Sequence, residues 1–256
     1  MRRKINAEVS KITDEELFSS AAFAAYLTDI AEAVTKRYKR RLRVETIYDT
    51  SENAMIACTN NRNILINTGN YISQSMPYRK LKAESILGLV GHEVGHMLFT
   101  NFRISETYFS ELSYGRLYPQ MELSEEEQES FTEVTDYFKT GTEAQKQAIL
   151  KAAKLLLNIL EDAYIEARIC DRYTGRFATG IHLNNIRFTE MMPSVTEQLT
   201  NGCYRFSVFC NLLNQYCRSG DINNRDGYAG ELLDLFYDVL PLVDDAIYDE
   251  DMKRRC

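Results

Sequence analysis

Gly91-His92-Glu93-Val94-Gly95-His96-Met97-Leu98-Phe99-Thr100 decides how the rest of the chain is read. It carries two of the three histidines in 256 residues, inside a stretch whose pattern reads as helix. On a helix, residues four apart share a face, so both imidazoles can reach one metal ion. Glu93 stands beside them, where a carboxylate can act as general base on a metal-bound water. H-E-x-x-H is the spacing by which zinc peptidases hold their ion. His92 and His96 are therefore the expected zinc ligands, and Glu93 the expected catalytic base.

A zinc site of this kind needs a third protein ligand. The metzincin extension would place Gly and His where this chain has Phe99 and Phe102, so that class is excluded. The other route is a carboxylate from a second helix, as in the His2Glu sites of the thermolysin type. Leu155-Leu156-Leu157-Asn158-Ile159-Leu160-Glu161-Asp162-Ala163-Tyr164-Ile165-Glu166-Ala167-Arg168 offers the candidates. From Ile149 to Leu160 the pattern is apolar almost all round, which marks a buried helix. Acids at the end of such a run are costly unless paired, protonated or bound to metal. Glu161 is the first choice as ligand, with Asp162 or Glu166 orienting a ligating histidine. The bland alternative pairs Glu161 and Asp162 with Arg168 or Arg172 on a solvated edge.

These two stretches together resemble a known family. Gly91 to Thr100, followed by Asn158 to Glu166, is similar to the gluzincin-like N-terminal region of bacterial proteins that carry a von Willebrand A domain. A more distant likeness is to the cobaltochelatase subunit that bears the same kind of domain. The resemblance runs from the strands before His92 to Arg168. It implies a zincin-like metallopeptidase fold, zinc bound by His92, His96 and Glu161, and Glu93 as the catalytic residue. Two positions depart from the family pattern. The Asp-x-Ser-x-Ser metal motif of the A domain is absent, so the chain reads as a stand-alone relative or as part of a longer protein. Ile165 stands where many gluzincins have Asp, four residues after the ligand, so Glu161, Asp162 and Glu166 all stay open.

Composition narrows the alternatives. With 45% hydrophobic residues the chain can bury a sizeable core. A net charge of −7 argues against nucleic acid or an anionic membrane as partner. The strongest basic run, Lys36-Arg37-Tyr38-Lys39-Arg40-Arg41, reads as a solvated helix end. No apolar segment follows the basic Met1-Arg2-Arg3-Lys4, and no window matches a membrane span. A cytoplasmic location with reduced cysteines is expected. Cys203, Cys210 and Cys217 recur at heptad spacing, so they read as small apolar residues on one helical stripe.

The expected organisation is a single domain over 1–256, α+β and mainly helical. Residues 1–100 hold an N-terminal helix, a small sheet and the H-E-x-x-H helix; 101–256 form a helical part bearing the third ligand. Thr13-Asp14-Glu15-Glu16 reads as a capping box opening a helix that runs to about Arg40. Leu42 to Tyr48, Ala54 to Cys58 and Asn63 to Asn67 read as strands, with Asn60-Asn61 as a hairpin turn. Such a sheet can hold an extended peptide along its edge. The next helix is expected from Tyr78 to Thr100, and Gly88, Gly91 and Gly95 inside it imply a close backbone approach. Asn101 to Met121 reads as an irregular aromatic wall or lid. Ser124 and Thr142 are expected to cap two further helices, the second carrying Glu161. Val195 to Arg218 and Gly230 to Tyr248 follow as helices, with Asp249 to Cys256 as a tail.

The implied reaction is hydrolysis of a peptide or protein substrate by a zinc-activated water. The oxyanion would need a donor besides zinc, for which His182, Tyr164 and Arg168 are candidates and His182 the one taken as catalytic. Two other classes compete. One is a catalytically silent zinc-binding scaffold within a larger von Willebrand A or chelatase-like assembly, with that domain or partner outside this chain. The other is a helical structural protein without metal.

Overall fold

The computed structural model describes residues 11–38, 42–120 and 122–256. The basic Met1 to Lys4, and residues 39–41 of the Lys36 to Arg41 run, lie outside these. The described chain is α+β, mainly helical, with one small three-stranded sheet. It forms two compact units: Met1–Phe99 with Ile165–Met191, and Thr100–Tyr164 with Met192–Cys256. Among the described residues no helix is long and apolar enough to cross a membrane.

In the first unit, Thr13 caps α1 (Asp14–Phe18) reciprocally. Its hydroxyl accepts from the Glu16 N–H, and the Glu16 carboxylate accepts from the Thr13 N–H. One helix is expected here, but the chain breaks at Ser19-Ser20. The Ser20 hydroxyl accepts from the Phe23 N–H and starts α2 (Ala21–Thr35) anew. Arg37 is not a solvated helix end. Its guanidinium donates to the Asn61 backbone oxygen at 2.6 Å and to the Met97 carbonyl at 3.3 Å. It thus places a cation against the C-terminal carbonyls of the H-E-x-x-H helix.

The sheet consists of β1 (Arg43–Ile47), β2 (Ala57–Thr59) and β3 (Asn63–Asn67) in the order β1-β3-β2. β1 runs parallel to β3 and β2 antiparallel to it. Asn61, left-handed at φ 65°, makes the expected turn between β2 and β3. Val44, Ile64 and Ile66 bury one face, while Thr28 on α2 accepts from the Val44 N–H and so covers the β1 edge. β2 forms the other edge.

After α3 (Tyr71–Gln74) comes α4 (Arg79–Phe99), which carries both histidines. α4 packs on α2, α3, β2 and β3. From Ser85 to Met97 every residue is buried except His92 and His96. This is possible because two neighbours come unusually close. They are α8 (Arg176–Met191) and the last turns, from Ile165 onward, of α7 (Glu143–Arg172). A Cβ on Gly88 would stand 2.3 Å from the Gly180 backbone of α8. One on Gly91 would meet the Phe177 ring at 2.9 Å, and one on Gly95 the Ile165 and Ile169 side chains at 3.1 Å. The glycines expected to mark a close approach do so, against two different helices.

The second unit corrects several expectations. Phe102–Ser113, expected to be irregular, is helix α5: Asn101 accepts from the Ile104 N–H, and Ile104, Tyr108 and Leu112 share a stripe. α6 (Glu125–Thr140) opens on the expected Ser124–Glu127 capping box. The single helix expected from Val195 to Arg218 is two, α9 (Val195–Thr200) and α10 (Arg205–Ser219). They are separated at Gly202, whose φ of 76° leaves the helical region. Cys203 is consequently exposed outside the helix, while Cys210 is buried and Cys217 half-buried. Burial pushes the Cys210 thiol up to about 11 and that of Cys217 to about 12, so these two behave as core residues. All six cysteines are free.

α11 (Glu231–Tyr248) packs Leu232, Phe236 and Val243 into a core shared with Ile159, Val208 and Leu212. Residues 249–256, expected to be a tail, instead include the short helix α12 (Met252–Arg255), with Met252 and Arg255 buried.

Gly88→Ala should lower stability by about 3 kcal/mol, because backbone rather than a movable side chain blocks the new methyl. Gly175→Ala, with nothing within 4 Å, should be near neutral. Denaturant midpoints of the two variants check this; equal midpoints would contradict the close approach.

Candidate metal centre

α4 places the expected ligands one turn apart on its least covered face. The His92 and His96 ring centroids are 4.9 Å apart, with planes at 80°. His92 is held from behind: its Nδ1 lies 2.7 Å from Oε1 of Glu166 on α7. The other oxygen of that carboxylate, Oε2, accepts from the Asn185 side-chain amide of α8 at 2.7 Å. Glu166 is buried at 7% exposure, so this pair sits where a hydrogen bond to charge is strong. A carboxylate on Nδ1 selects the tautomer with its proton there, so metal ligation falls to Nε2.

Glu93 follows His92 on the helix and is buried at 4% exposure. Burial, and then the nearby Glu93 charge, raise the Cys58 thiol above its ordinary value. Cys58 is exposed on β2, the edge strand. The charge of the general-base candidate thus reaches the edge strand.

The three α7 acids occupy three different surroundings. Glu161 is buried against Arg255 of α12, with Nη2 at 3.0 Å and Nε at 3.1 Å from its Oε2. The guanidinium also lies 3.6 Å above the Tyr164 ring and donates to the Asp249 carbonyl at 2.6 Å. Oε1 of Glu161 is buried without a hydrogen-bond partner. Asp162 is half-buried, and its Oδ2 accepts from Arg218 at 3.3 Å. Glu166 holds His92. Where the bland alternative names Arg168 or Arg172, Glu161 and Asp162 meet Arg255 and Arg218, arginines distant in sequence.

Of the oxyanion-donor candidates, Tyr164 is covered by Arg255, and His182 lies on the exposed side of α8. Three contributors escape sequence reasoning: Asn185, Arg218 and Arg255. Arg255 carried a signal, since it closes a basic run that follows an acidic one. Asn185 carried none that separates it from Asn184 beside it. Comparison with known proteins gives no match, whether to family models, curated proteins or solved structures.

A buried ion pair that loses one member leaves an uncompensated charge. Arg255→Met should therefore cost about 3–5 kcal/mol, whereas Glu161→Met with Arg255→Met should recover most of that loss. Urea denaturation of the single and double variants measures both; a harmless single variant would contradict the burial of the pair.

Proposed function

We propose that this chain is a zinc-dependent hydrolase of peptide bonds with a zincin-like catalytic core. His92 and His96 hold the ion and Glu93 serves as general base. One observation carries the reading. In the buried run from Ser85 to Met97 only the two imidazoles reach solvent, and one of them is anchored through Nδ1 by a buried carboxylate. Burying a helix this completely while leaving two histidines open, at the spacing a metal requires, suits ligation better than packing.

Asp162 is the third ligand in this reading. It stands one turn before Glu166 on the same stripe of a continuous helix. Helix geometry puts its carboxylate on the face that carries Glu166, the residue that holds His92. Two imidazoles and a carboxylate form a donor set that suits zinc, and Arg218 on Oδ2 would orient the carboxylate. Glu161, engaged by Arg255, is then structural, and His182 has no part.

When bound, the ion supplies a water acidified to a pKa of about 7 and polarises the scissile carbonyl. Glu93 takes the water proton and returns it to the leaving amine. The substrate class follows from β2: an extended peptide can add to this edge strand and pass beside Glu93.

Purified protein should contain zinc near one equivalent, and His92→Ala or His96→Ala should abolish it. Asp162→Asn should weaken zinc binding at least tenfold, while the Glu161→Met/Arg255→Met double variant keeps it. Glu93→Gln should retain zinc and slow peptide cleavage by about 10²–10⁴. Zinc analysis with a peptide-library screen reads all of these. Zinc binding with no cleavage, indifferent to Glu93→Gln, would favour the scaffold alternative. Absence of zinc binding would end both readings.

A further inference from the structure

Asn185 sits at 5% exposure on α8 and donates to Oε2 of Glu166 at 2.7 Å, while Oε1 of Glu166 meets His92 Nδ1 at 2.7 Å. We propose that Asn185 is a positioning residue for the metal centre, acting through Glu166 to lock His92 in its Nδ1–H tautomer with Nε2 committed to the ion. The last clause rests on the zinc reading; the tautomer lock does not.

Three features support the assignment. The first is donor chemistry. A buried carboxylate with one oxygen on an imidazole needs a donor for the other oxygen, or it turns toward whatever donor is nearest. An amide supplies that donor without charge. A lysine or arginine there would neutralise Glu166 and weaken its hold on the His92 proton. The second is leverage. Asn184, one residue earlier, accepts from the Ser85 hydroxyl at 2.6 Å and donates to the Ser85 carbonyl at 2.9 Å. Ser85 lies two turns before His92 on α4. The third is the absence of play. Gly88 and Gly180 leave the two backbones in contact, so α8 can neither rotate nor slide on α4 without a clash. Asn184 and Gly180 therefore set the height of α8, and Asn185 meets Glu166 as a result. The competing account, in which Asn185 only satisfies a buried carboxylate, makes no demand on the His92 tautomer.

The test is long-range proton–nitrogen NMR of the imidazoles in metal-free protein, at a pH where they are neutral. With three histidines in the chain, assignment needs few variants. Wild-type His92 should show one Nδ1–H tautomer. Asn185→Leu should mix the tautomers and weaken zinc binding by about 10–100-fold in chelator competition. Asn185→Gln, which keeps the amide, should restore part of both. Wild-type His92 already in the Nε2–H form overturns the proposal whether or not the variants fold. So does folded Asn185→Leu with unchanged tautomer and unchanged zinc affinity. A wild-type protein that holds the Nδ1–H tautomer but takes up no zinc overturns the zinc reading and leaves the lock standing.

Discussion

Helix α4 can be buried on nearly every side only because backbone meets backbone at Gly88 and Gly180. The geometry that joins His92, Glu166 and Asn185 follows from that contact. Side chains at those positions would hold α8 away, since a Cβ at either would lie within 2.3 Å of the opposite chain. With α8 at a distance, Asn185 could not reach Glu166, and Glu166 would lose the donor that aims it. Each glycine weakens an isolated helix by roughly 1 kcal/mol relative to alanine, so packing must more than offset what propensity loses. Ile86, Val90 and Val94, all fully buried on the same helix, provide that packing.

Electrostatics then assigns different work to neighbouring acids on one helix. Glu161 is matched to a buried guanidinium, Asp162 to a partly exposed one, and Glu166 to an imidazole and an amide. Arg255 engages only Oε2 of Glu161, Arg218 only Oδ2 of Asp162, and both oxygens of Glu166 are taken. Arg255 holds the most buried of the three by one oxygen. Its guanidinium, flat on Tyr164 and bonded to both Glu161 and the Asp249 carbonyl, fixes that carboxylate from the far end of the sequence.

What could be read in advance was local. The Thr13 and Ser124 capping boxes, the turn at Asn61 and the span of α4 each depend on residues a few positions apart, and the structure has them as expected. The small sheet before α4 was likewise readable, although its β1-β3-β2 order was not, because alternation says nothing of which strand lies between. Errors arose where a short polar signal outweighed a pattern. Ser19-Ser20 and Gly202 divide stretches whose apolar periodicity continues across them. Phe102 to Ser113 hid a helix behind aromatic residues of low helix propensity. The site divides in the same way. His92, Glu93 and His96 stand out in the sequence because their spacing is that of a known metal-binding motif. The surroundings of Glu161, Asp162 and Glu166 depend on Arg255, Arg218 and Asn185, whose positions only the folded chain determines.

X-ray absorption at the zinc edge, on protein loaded with one equivalent of zinc, tests the central claim most directly. Two imidazole nitrogens at about 2.0–2.1 Å, with the remaining scatterers oxygen and none sulfur, is the expected first shell. One imidazole or none, or any sulfur from the free cysteines, would contradict the account.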